Sequence, residues 1–62
     1  MKLLATVALL EDLPERCLHR GQVGTVVEAL AEDVYEVEFS DDEGRAYALL
    51  PLREVLLIPL SW

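Results

Sequence analysis

The chain has 62 residues, 53% of them apolar, and 12 acids against 5 bases for a formal charge of −7. That length holds one small domain and excludes a second domain or a large multi-part active site. The apolar fraction excludes a disordered acidic tail, and the charge argues against a surface built for phosphate backbones, which needs Lys and Arg facing the ligand.

Domains of this size bury only about 60% of their unfolded surface and often lean on disulfides, metals or partners. Cys17 is the only cysteine and His19 the only histidine. One chain therefore builds neither an internal disulfide nor a four-ligand zinc site. Stability has to come from the core or from association. The lone cysteine fits a reducing, cytoplasmic setting.

The uncharged run Leu3–Leu10 follows Lys2 and stops at Glu11-Asp12. It is far short of a membrane span, which needs about 20 apolar residues. It also lacks the small-residue cleavage site of a secretory leader. The expectation is a first strand over about Ala5–Leu10. Pro14, which has no backbone donor, should end regular pairing. Glu11–Gly21 then reads as a wide irregular loop carrying Arg16, His19 and Arg20, three of the six residues of basic type. Leu13 and Leu18 are expected to fold back over the core as a lid.

β-Branched residues dominate Gly21–Leu30, so this segment is predicted as a second strand. Gly24 within it marks a bulge or a close approach of a neighbouring backbone, and Gly21 a turn at positive φ. After the short connection Ala31–Asp33, Val34–Phe39 alternates strictly. Tyr35, Val37 and Phe39 take the core face, and Glu36 and Glu38 the other. Ser40-Asp41-Asp42-Glu43-Gly44 is the clearest turn, with Gly44 supplying positive φ. Arg45–Leu50 is predicted as the fourth strand, ended by Pro51. Pro51–Glu54 is expected to form one 3₁₀ turn, and Val55–Ile58 the last strand, closed by Pro59. Five short strands, a wide first loop and one turn before the last strand predict a single all-β domain over 1–62, a five-stranded antiparallel SH3-like barrel. An OB-fold is the alternative.

Arg20–Glu28, Tyr35–Phe39 and Gly44–Leu49, with Asp12-Leu13-Pro14-Glu15 ahead of the glycines, resemble domain-of-unknown-function family 4926, a group of small bacterial proteins. The resemblance runs over about Val7–Leu57. It implies a compact stand-alone β domain without an established activity, sometimes encoded beside another small protein in a toxin–antitoxin-like arrangement. A weaker resemblance is to the KOW motif of ribosomal and transcription-elongation proteins, carried by Gly21, Gly24 and Val26. That motif implies nucleic-acid binding. Here Glu28, Glu32, Asp33, Glu36 and Glu38 follow it where bases would be needed.

No constellation for catalysis stands out, and the expectation is no enzyme, no cofactor and no metal. Cys17 and His19 lie near each other in sequence, but no orienting acid or oxyanion site accompanies them. A small hydrophobe, partly buried, and a surface imidazole are the plainer roles. Clustered carboxylates at Glu36, Glu38, Asp41, Asp42 and Glu43 raise divalent-cation binding as an alternative. The spacing is not that of a calcium loop, and a solvated face is the plainer account. Arg16, His19 and Arg20 make the first loop the basic region of an acidic chain, either bordering a ligand groove or balancing Glu11, Asp12 and Glu15. Tyr35 and Tyr47 either line that groove or pack in the core. The last eight residues are too apolar for one face of a small sheet, so Leu56, Ile58, Leu60 and Trp62 are expected at a contact. The functional expectation is a non-enzymatic interaction module, antitoxin-like, held by a small basic protein or by a second copy through the C-terminal strand. Nucleic acid and membrane are not expected partners.

Overall fold

The computed structural model describes residues 1–41 and 43–60, so Asp42, Ser61 and the expected contact residue Trp62 lie outside it. The strands are β1 (Thr6–Leu9), β2 (Val23–Ala31), β3 (Val34–Ser40), β4 (Ala46–Arg53) and β5 (Leu57–Pro59). They form one antiparallel sheet in the order β4-β3-β2-β1-β5. Two 3₁₀ turns complete the fold, Pro14–Arg16 in the first loop and Glu54–Leu56 before β5. No helix among the described residues is long and apolar enough to cross a membrane.

The all-β class and the five antiparallel strands are as expected; closure into a barrel is not found. Among the described residues the sheet is open, with β4 and β5 as its two edges. The physical reason is visible in the edges themselves. β5 is only three residues long and ends in Pro59, and β4 carries Pro51 in its interior. A proline has no N–H to give to a closing ladder. The same point corrects one boundary. Pro51 does not end β4 but sits inside it opposite Glu36, and Pro59, which does close β5, is its last paired residue, opposite Val7. Both are edge positions, where proline is tolerated. The 3₁₀ turn expected at Pro51–Glu54 falls instead at Glu54–Leu56, and the one at Pro14–Arg16 was not expected.

β3 organises the core. Its alternation holds in full: Tyr35, Val37 and Phe39 are buried, and Glu36 and Glu38 lie on the other face. Val7 and Leu9 of β1, Val26 of β2, Leu50 and Leu52 of β4 and Leu57 of β5 join them in one cluster. Strands stand about 4.8 Å apart, so a flat sheet would hold its two edges too far apart for this. Contributions from both β4 and β5 to one cluster require the sheet to curl around its inner face. Leu18 comes down from the first loop and is fully buried beneath it, with Leu13 packed alongside, as the lid reading expects.

Gly24 permits the tightest part of that core. A Cβ at this position would lie 2.8 Å from Phe39 Cε1, 2.8 Å from Val37 Cγ1 and 2.9 Å from the Glu38 carbonyl oxygen. Of the two readings of Gly24, close approach is the one found. The bulges of β2 fall elsewhere, between Val26 and Glu28 and between Ala29 and Ala31. Gly21 and Gly44 take positive φ, +88° and +83°. Gly24→Ala should therefore lower stability by about 1–3 kcal/mol through overpacking. Urea unfolding checks this, and wild-type stability in the variant would contradict the packing described.

Candidate functional site

The first loop is ordered by its own backbone. Pro14 opens the 3₁₀ turn, and Cys17 closes it in the left-handed region (φ 57°), its N–H donating to the Pro14 carbonyl. Leu13 and Leu18 exchange hydrogen bonds of 2.9 and 3.2 Å. Asp12 Oδ1 accepts from the Arg20 N–H at 2.8 Å. Gln22 Oε1 accepts from the His19 N–H, while the Gln22 N–H donates to the His19 carbonyl, both at 3.0 Å. Polar side chains tie the loop and Leu18 pins it, leaving Arg16, His19 and Arg20 exposed. Cys17 is exposed as well, which corrects its expected part-burial. Its left-handed backbone also removes the extended geometry that would aim Cys17 and His19 the same way.

The acidic turn has an internal purpose. Asp41 Oδ1 accepts from the backbone N–H groups of Glu43 and Arg45, both at 2.9 Å. The Arg45 guanidinium lies 3.3 Å from Asp41 and 3.0 Å from Glu43. These carboxylates shape and neutralise the turn. Among the described residues no group of three or more His, Cys, Asp or Glu side chains is placed to hold a metal ion.

The basic loop and the apolar C-terminal segment do not form one site. β5 runs antiparallel to β1: Ile58 lies opposite Ala8, and the Leu60 N–H donates to the Thr6 carbonyl at 2.8 Å. The segment thus leaves the loop end of β1 and heads for its start. Leu56, next to the loop through the Leu10 N–H···Leu56 carbonyl bond, packs against the core. Tyr35 is a core residue whose hydroxyl accepts from the Met1 amine at 3.0 Å. Tyr47 is exposed on β4.

Two further surfaces remain, the first of them unsignalled by the sequence. One is a groove of about 770 Å³ lined by Met1–Ala5, Glu54, Leu57 and Pro59. It forms because the N-terminal residues fold across the end of the sheet, with Leu4 at φ 65° and its N–H on the Val26 carbonyl. The Met1 amine, Lys2 and Glu54 are its charged groups, and its walls are otherwise mostly aliphatic. The second is the outer face of the sheet. Register places Val23, Ala8 and Ile58 in one row across β2, β1 and β5. The next row runs Thr6, Thr25, Glu38 and Leu49 across β1 to β4, and Glu28, Glu36 and Pro51 follow across β2 to β4. Val23, Ile58, Tyr47 and Leu49 are each about half exposed. The strand pattern implied this face, but the row order depends on register, which local sequence does not fix.

A family described as Domain of unknown function (DUF4926) matches residues 3–59 of this sequence. The chain belongs to that family. Comparison with curated proteins and with solved structures finds no match. For this DUF4926 protein the match covers all five strands, both 3₁₀ turns and most of the groove.

Leu18→Ala should cost about 2–4 kcal/mol, because it removes a fully buried side chain and the loop's anchor. Arg16→Ala and Arg20→Ala should each stay within about 0.5 kcal/mol of wild type. Chemical denaturation of the three variants checks this, and a Leu18→Ala protein as stable as the arginine variants would refute the pinning.

Proposed function

We propose that the protein is a non-enzymatic interaction module, the acidic member of a pair whose other member is a basic protein. The observation that carries this reading is the quantity of exposed apolar surface on a highly acidic chain. Among the described residues, ten large apolar side chains are exposed in a protein of net charge −7. Soluble monomers rarely leave such side chains in contiguous patches unless something covers them. A net charge of this size opposes self-association and speeds encounter with a cationic partner. The antitoxin-like arrangement is one biological setting for such a pair.

The nucleic-acid alternative draws no support from the placement of the bases. Arg45 is held against Asp41 and Glu43, which leaves Arg16 and Arg20 on the first loop against twelve acids in the chain. Affinity capture from the host should recover a small basic protein at low salt and less of it at high salt. Recovery of nucleic acid instead, or of no basic protein at either salt, would overturn the reading. Gel shift with RNA and DNA at low salt should show no complex.

A further inference from the structure

The interaction surface follows from what the fold leaves open and what it shuts. A sheet offers a partner two modes of recognition, strand addition at an edge or packing on a face. The β5 edge of this sheet is closed to addition, and the β4 edge is interrupted. Alongside β5 the Leu10 N–H donates to the Leu56 carbonyl and the Leu60 N–H to the Thr6 carbonyl, which sets the alternation of an antiparallel ladder. Leu57 and Pro59 are thereby directed to the free edge. Pro59 has no N–H, and the Leu57 N–H already donates to the Glu54 carbonyl. The free edge of β5 therefore offers no backbone donor at either position. On β4, Pro51 interrupts the edge within its eight residues.

The outer face is the opposite case. Glu28 lies directly across from Glu36, and Glu38 is two residues along the same strand. Like charges directly opposite on a sheet are destabilising. Both ion pairs among the described residues belong to Arg45, on the turn. Arg53 lies two residues along β4 from Pro51, the partner of Glu36, and makes no ion pair with it. The carboxylate ridge is therefore not neutralised from within the fold. It is flanked by half-exposed Tyr47 and Leu49 on one side and by Val23 and Ile58 on the other.

We infer that the outer face of the sheet is the docking surface and that its occupant is a segment of a basic protein presenting Lys or Arg interleaved with aliphatic side chains. A second copy of this chain does not fit, since it would bring the same carboxylates and few bases to meet them. The inference rests on the interaction-module reading and names the surface and the partner chemistry for it. Aliphatic side chains of the partner cover Val23, Ile58 and Leu49, while its cations sit over Glu28, Glu36 and Glu38. Partner and sheet meet face to face, without a shared ladder.

The test is an amide-resolved NMR titration of the full chain with a short synthetic peptide of alternating lysine and valine. The same peptide with glutamate for lysine serves as control. Shifts should concentrate at Thr25, Glu36, Glu38 and Leu49, fade as salt rises, and be absent with the glutamate peptide. The Glu36→Gln/Glu38→Gln double variant should weaken binding about tenfold or more, whereas Arg16→Ser/Arg20→Ser should leave it unchanged. These side chains point away from the core, so the variants keep their fold, and the salt series on the wild-type chain reports independently of them. Shifts confined to the Met1–Ala5 groove or to the first loop would overturn the surface assignment while leaving the interaction reading intact. So would shifts at the outer face on concentrating the protein alone, which would assign that face to a second copy. No response to the lysine peptide at all would also overturn it. A peptide that maps to the face, together with host capture that yields no basic protein, would keep the surface and defeat the broader reading.

Discussion

A single sheet has two faces, and this chain has core enough for one. Everything else in the structure follows from how β3 divides them. Tyr35, Val37 and Phe39 are sent to the inner face, where residues from all five strands and Leu18 of the first loop converge. Glu36 and Glu38 are sent to the outer face by the same period of two. Gly24 lets β2 press against that inner row with no Cβ in the way. The curl of the sheet brings both edge strands to the same cluster. With no helix or second layer among the described residues to cover it, the outer face stays largely in water, Ala8 excepted.

That division gives the outer face its chemistry. Burial took the best apolar side chains, but more apolar residues remained than one small core takes up, and Val23, Ile58, Tyr47 and Leu49 stand half exposed. The carboxylates on β2 and β3 lie among them. Those of the Asp41 turn are different, because there backbone N–H groups and Arg45 accommodate the charge. Two acidic regions that look alike in sequence therefore have separate roles. One builds a turn, and the other is not neutralised within the fold. Proline at each edge, Pro51 and Pro59, keeps so exposed a sheet from pairing with further strands.

Much of this was legible from residues alone. The alternation of Val34–Phe39, the turn at Gly44, the tight spot at Gly24 and the lid of Leu13 and Leu18 each rest on local stereochemistry that a sequence displays. Pro51 lies inside β4 rather than at its end for a physical reason. A proline ends a central strand but is admitted at an edge, and which strands are edges is a property of the whole sheet. Barrel closure likewise depends on how the two edges meet, which local sequence does not display, and the sheet is open. How the basic loop and the apolar C-terminal segment lie relative to each other was not legible, since it depends on β5 running antiparallel to β1, which carries Ile58 and Leu60 away from the loop. The groove at Met1–Ala5 depends on a left-handed Leu4, which no local signal announces. The row order of the outer face depends on two bulges in β2 that shift its register.

The central claim is that the carboxylate ridge is unneutralised within the fold and is kept for an outside cation. Thermal unfolding of Glu36→Gln beside the wild-type chain, at low and at high salt, tests it most directly. Removing one of two charges that face each other across β2 and β3 should stabilise the isolated protein by about 0.2–1 kcal/mol, a rise of a few degrees in Tm for a domain this small. The gain should shrink when salt screens the pair. A variant less stable than wild type at low salt would show that Glu36 has its partner inside the fold, and would contradict the account.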